Sequence, residues 1–170
     1  MDNFASCIAF TLQAEGGYST NAADPGNWTG GAVGMGLLRG TKCGISAAAY
    51  PDLDIETLTQ PQIEAIYRRD YFEKIQGDAL ALPLAMVAFD AAVNAGVRRS
   101  IVFLQQAAGV PGDGILGPRS LQVLTSGHAG TLALEALVRR LDYYAKLPGW
   151  SVFGLGWARR ILQLARIVGG

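Results

Sequence analysis

Apolar residues recur at helical spacing through most of this chain. Phe4, Ile8 and Leu12 fall at i, i+4 and i+8, which predicts one buried stripe on a first helix that Asp2 or Asn3 can cap. Gly16-Gly17 ends that helix and leaves Glu15 on its last turn. A carboxylate there faces the negative end of the helix dipole, so its charged form is mildly disfavoured. The next residues, 16–45, lose the period. They are rich in Gly, Asn, Asp and Pro and read as a loop or short irregular strands. A loop that long in a compact domain is usually functional, and its glycines let backbone approach a ligand closely.

Helical patterning then resumes. Ser46 can cap a short helix over 47–50, stopped by Pro51. Thr59-Gln60-Pro61-Gln62 has the capping-box pattern and opens a helix with Ile63, Ile66, Tyr67 and Tyr71 on its apolar face. Further helices are predicted over 83–93, 100–108, 118–124, 131–146 and 157–168, with a turn-rich loop centred on Asp113-Gly114. No repeat and no strand-rich segment appears. The expected fold is all-α, with a long Gly-rich loop or small β-hairpin after the first helix. It is read as one domain over 1–170, with a first half over 1–85 and a helical second half over 86–170.

Composition narrows the function. The 170 residues suit one domain. Half are apolar and 16% are charged, which excludes a disordered chain. Lys+Arg and Asp+Glu both number 14, and zero net charge argues against a nucleic-acid partner. One histidine, His128, and two cysteines, Cys7 and Cys43, are too few for the usual zinc site, and no metal or organic cofactor is implied. The cysteines are expected as free thiols. The charge is uneven: residues 1–90 carry eleven acids and five bases, residues 91–170 three acids and nine bases. That asymmetry suits an anionic polymer or membrane at the second half, or a solvated pattern with no partner. Met1-Asp2-Asn3 does not resemble a secretion signal, and synthesis in the cytoplasm as a monomer is expected.

Cleaving a glycosidic bond requires a protonated carboxyl to donate to the leaving oxygen and a second carboxylate to act across the sugar. Glu15, opening onto the glycine-rich loop, suits the acid. Asp24 follows nine residues later, and Thr29 and Thr41 can hold a water. Taken alone, a glutamate before Gly-Gly is more simply a solvated helix end. Tyr18 and Trp28 can line a sugar subsite or pack within the loop. Asn94 is a further candidate substrate contact, although Asp90 and Asn94, one turn apart in an apolar helix, more simply fix a loop. The last helix sets Arg159, Arg160 and Arg166 beside Leu162, Leu164 and Ile167. It suits either an anionic outer membrane or a core with solvated arginines.

The ordered set Glu15-Gly16-Gly17-Tyr18, then Asp24-Pro25-Gly26-Asn27-Trp28-Thr29-Gly30-Gly31, then Gly40-Thr41-Lys42-Cys43-Gly44-Ile45-Ser46 resembles glycoside hydrolase family 108. Those proteins are N-acetylmuramidases, common as phage endolysins, with a lysozyme-like helical fold. The second half is similar to the peptidoglycan-binding portion that accompanies them, through Asp90, Val93-Asn94-Ala95-Gly96, Leu104-Gln105, Asp113-Gly114, Gly117-Pro118 and Leu121. The resemblance implies that Glu15 is the proton donor and that bacterial peptidoglycan is the substrate. The bond cut is then the β-1,4 link from N-acetylmuramic acid to N-acetylglucosamine. It also implies action at the wall after a holin-type release. Residues 30–40 depart from the family pattern as an insertion, expected as a flap or hairpin. The family's threonine therefore maps to Thr29 or Thr41, with Thr41 favoured because Gly44-Ile45-Ser46 follows it in family order. A lytic transglycosylase using the same glutamate, or a non-catalytic wall-binding or secretion-accessory protein, are the competing readings.

Overall fold

A computed structural model describes residues 2–13 and 16–169. Among them run seven α-helices: α1 (Asn3–Leu12), α2 (Gln60–Tyr67), α3 (Leu82–Ala95), α4 (Val97–Ala107), α5 (Pro118–Ser126), α6 (Ala129–Tyr144) and α7 (Trp150–Val168). An antiparallel hairpin of β1 (Thr41–Lys42) and β2 (Ile45–Ser46) pairs Thr41 with Ser46 and Lys42 with Ile45. The expected all-α fold with a small hairpin after the first helix is therefore the one observed. The chain forms two compact units, Met1–Cys7 with Arg68–Gly170, and Ile8–Tyr67. No helix among the described residues is long and apolar enough to cross a membrane.

The larger unit is built around α3. Residues Leu84 to Ala92 are buried without a break, as in a helix wrapped on all sides, and α4, α6 and α7 pack against it. Phe4, Phe72 and Phe89 meet edge to face at centroid distances of 5.2 to 6.0 Å. Asp90 is fully buried on α3, and its carboxylate is met by Arg140 of α6 at 2.6 Å and Arg160 of α7 at 2.5 Å. Its role is thus to join three helices rather than to fix a loop. Burying that carboxylate is tolerable only because two guanidiniums share it.

Several element boundaries differ from the periodic pattern for local reasons. Helix α4 starts at Val97, three residues earlier than expected, because Gly96 adopts φ +87 and turns the chain directly from α3 into α4. Helix α7 starts at Trp150 rather than 157. Gly154 and Gly156 resemble breakers, but a Cβ on Gly154 would lie 2.6 Å from the Trp150 ring, so the glycine admits that ring against the helix. His128 is exposed and caps α6 by accepting at Nδ1 from the Thr131 N–H at 3.3 Å.

In the smaller unit the expected cap of α2 is present, with Gln62 Oε1 accepting from both the Thr59 N–H and the Thr59 hydroxyl. The predicted helix over 47–50 is instead a turn, in which Ser46 Oγ accepts from the Ala49 N–H at 3.3 Å. Four residues followed by a proline are too few to propagate a helix. The apolar face predicted through Tyr71 is also displaced. Arg68–Phe72 is a π-helical turn, with the Glu73 N–H donating to the Arg68 carbonyl five residues back. The wider turn shifts the phase by one residue, so Phe72 is fully buried and Tyr71 only half-buried.

Candidate active site

The loop of residues 16–46 is organised by one side chain that the sequence pattern does not single out. Asn27 is 1% exposed. Its Nδ2 donates to the Asn21 carbonyl at 2.9 Å, and its Oδ1 accepts from the Thr41 hydroxyl at 2.7 Å. Its own carbonyl accepts from the N–H groups of Arg39 and Gly40. A buried amide with these bonds satisfied holds three separate stretches of loop together. Its position directly after Pro25-Gly26, the start of a 3-10 turn, was the available signal.

Backbone pairing completes the frame. Ser19 and Thr41 exchange two N–H···O bonds of 2.9 Å, and the Cys43 N–H donates to the Gly16 carbonyl at 3.1 Å. The Tyr67 hydroxyl donates to the Cys43 carbonyl at 2.7 Å. Lys42 Nζ donates to the carbonyls of Glu56 and Leu58 at 2.7 and 2.8 Å. The insertion forms the expected hairpin-like flap: Trp28 bridges Leu38, the Thr29 N–H donates to the Leu37 carbonyl, and the Gly30 N–H donates to the Met35 carbonyl. Val33, Met35, Leu37 and Leu38 are exposed on it.

The predicted site residues fall as follows. Glu15 lies outside the described residues. Asp24 is exposed and caps the 3-10 turn, its Oδ1 accepting from the Gly26 N–H at 2.8 Å. Thr29 is half-buried, and its hydroxyl accepts from the Leu37 N–H at 2.9 Å. That hydroxyl is also packed against Gly36, where an added Cβ would approach to 2.3 Å. Thr41 donates its proton to Asn27 and so keeps its oxygen lone pairs for another donor. The Tyr18 ring rests on Gly40 and its hydroxyl donates to the Arg39 carbonyl at 3.3 Å, yet the residue stays 39% exposed. Partial desolvation, and then the charges of Glu56 and Asp54, raise its phenol above the usual range. Trp28 donates from Nε1 to the Ala22 carbonyl at 3.0 Å and is half-buried.

Asn94 belongs to the larger unit, while Asp24, Thr29, Thr41, Tyr18 and Trp28 belong to the smaller. Asn94 is exposed near the end of α3, and its Nδ2 donates back to the Asp90 carbonyl at 2.7 Å. The two cysteines carry free thiols. Among the described residues no group of His, Cys, Asp and Glu is arranged to hold a metal.

Comparison with known proteins bears on this loop directly. The model of the family Glycosyl hydrolase 108 matches residues 8–96, more than half of the chain, and that span includes the whole loop. The solved structure of SagA from Brucella abortus is similar over 97% of this chain and 92% of that one, with a TM-score of 0.80 and 27% identity. No curated protein matches the sequence. With that family model covering more than half of the chain, the protein belongs to the glycosyl hydrolase 108 family, as a glycosidase of the muramidase type that hydrolyses peptidoglycan.

Proposed function

We propose that Glu15 is the general acid of this hydrolase and that it protonates the leaving oxygen of the β-1,4 bond from N-acetylmuramic acid to N-acetylglucosamine. The observation that carries this reading is the anchoring of the chain just after Glu15. The Gly16 carbonyl is bonded to the Cys43 N–H, and Ser19 pairs with Thr41. Those bonds tie the segment that leaves Glu15 to the β1–β2 hairpin that carries Thr41.

Asp24 supplies the second carboxylate. One of its oxygens is committed to Gly26, and the exposed carboxyl leaves the other for a water or a developing positive charge. Thr41 orients that water. Its hydroxyl proton points to Asn27, so its lone pairs accept from the water and direct it. Thr29 spends its hydroxyl on the flap and serves as a lock. Tyr18 and Trp28 offer partly exposed rings to sugar faces.

Glu15→Gln tests the acid. The amide cannot donate as a carboxylic acid does, so release of soluble fragments from purified sacculi should be lost while fold and sacculus binding persist. Undiminished release would remove the assignment. Mass spectrometry of wild-type products separates hydrolysis from a transglycosylase outcome, because 1,6-anhydro ends are lighter by one water.

We also propose that α7 contacts an anionic membrane. Val152, Leu155, Leu162 and Ile167 are all more than half exposed on it, Arg159 and Arg166 lie among them, and the helix contains no acid. Leu155→Glu/Leu162→Glu should abolish co-sedimentation with phosphatidylglycerol vesicles. Unchanged sedimentation would refute it.

A further inference from the structure

Two open hollows of about 650 and 470 Å³ adjoin on the larger unit, sharing Arg99, Gln106 and Tyr143. Their walls bring together four cations. Arg98 and Arg99 come from the first turn of α4, Arg139 from α6, and Lys146 from just beyond it. Asp142 is the single acid in the lining. Arg139 is partly neutralised by Glu135, one turn back on the same helix, and Arg98 donates to the Asp113 carbonyl. Arg99 and Lys146 pair with no carboxylate among the described residues.

Arg99 is held in a definite orientation. Its guanidinium carbon lies 4.6 Å from the centroid of the Tyr143 ring. Stacking occupies the face of the guanidinium and leaves its in-plane N–H donors available. A fork of that kind matches a planar carboxylate, and Lys146 adds a second point charge in the same hollow. The rest of the lining cannot neutralise a ligand of the same sign, since cations outnumber the acid four to one.

We infer that this groove binds the carboxylates of the peptide stems that peptidoglycan carries, and so holds the wall polymer at a place other than the glycosidic-bond chemistry. The inference rests on peptidoglycan being the substrate but not on the role of Glu15. Phosphate groups share the oxyanion chemistry, and the test separates them from carboxylates.

The test is co-sedimentation at 4 °C with purified sacculi, with sacculi whose stem carboxylates are converted to amides by a carbodiimide and ammonium, and with phosphatidylglycerol vesicles. Arg99→Gln/Lys146→Gln should weaken binding to intact sacculi on the order of tenfold and flatten its salt dependence. Its thermal unfolding and its hydrolysis of peptide-free glycan chains should match the wild type, which distinguishes a failure here from a failure of Glu15. Asp142→Asn removes the one opposing charge and should tighten binding. Wild type should bind amidated sacculi as weakly as the double variant binds intact ones. Equal binding of wild type to amidated and intact sacculi, or no loss in the double variant, would overturn the inference. Vesicle binding that falls with the double variant would also overturn it, in favour of phosphate.

Discussion

Arg140 reaches Asp90 from α6 with an Nη1···Oδ2 distance of 2.6 Å, and both side chains are essentially sealed from solvent, at 1% and 0% exposure. Arg140 also donates from Nε to the Tyr144 hydroxyl at 3.0 Å, so its charge is satisfied on two sides. Arg160 brings α7 to the other carboxylate oxygen. Removing one partner of a buried pair leaves the other charged and dry, which costs about 3–5 kcal/mol. Asp90→Asn is expected to lower unfolding free energy by about that much, as read by urea denaturation. A loss below about 1 kcal/mol would show that the site relaxes to admit water.

The two threonines should separate by kinetic signature. Thr41→Val removes the oriented oxygen and leaves Asn27 Oδ1 unpaired, so kcat on sacculi should fall at least tenfold, an order-of-magnitude expectation for a positioning group. Thr29→Val removes the acceptor for the Leu37 N–H and should loosen the flap, raising KM more than it lowers kcat. The reverse pattern would assign the water to Thr29.

Gly40 sits at φ +81, where a Cβ would lie 2.5 Å from the Ser19 carbonyl oxygen and 2.7 Å from the Tyr18 ring. Both the backbone conformation and the space exclude a side chain. Gly40→Ala should therefore destabilise the protein by more than about 1 kcal/mol and reduce lysis, measured together by thermal melting and turbidity clearing.

Burial pushes the Cys7 thiol up to about 12 from its ordinary 9.0, with the charges of Asp2 and Asp90 adding to the effect. The folded state thus keeps a proton that the unfolded chain releases above pH 9. This stabilisation is complete below about pH 9 and is lost as pH rises towards 12. Across that window wild type should lose up to about 1.4 kcal/mol per pH unit relative to Cys7→Ala. Parallel curves for the two proteins would refute it.

Two exposed carboxyls act in the opposite direction. The Phe4 N–H and then Arg68 hold Asp2 below its ordinary 3.8, and the Gln105 amide and then the Ile115 N–H do the same for Asp113. Their contribution is present above that value and disappears as pH falls through the lower folded values. Asp2→Asn/Asp113→Asn should show a shallower stability loss below pH 4 than wild type, followed by circular dichroism during acid titration.

Much of this architecture was legible in the sequence because helical period and caps are local properties. Asp2 caps α1 through the Phe4 N–H, Thr59 and Gln62 cap α2, and Pro83 opens α3. The features that local pattern does not carry depend on contacts distant in sequence or on a change of helical pitch. A constant 3.6-residue period puts Tyr71 on the buried face, but Arg68–Phe72 is π-helical. Asp90 looked like a loop support because its partners lie 50 and 70 residues away. In the site, the residue types and their order marked the loop, but the part played by Asn27 follows only from which carbonyls and hydroxyls surround it.

The anchors of the loop share a property with a consequence for sequence drift. Arg39 donates to the Pro51 carbonyl, Lys42 to those of Glu56 and Leu58, Tyr67 to that of Cys43 and Asn27 to that of Asn21. In each case the acceptor is a peptide oxygen, which every residue type supplies. The donors are therefore fixed while the acceptor oxygens are chemically anonymous, and replacements at the exposed positions 51 and 56 that keep the backbone path should leave the loop in place.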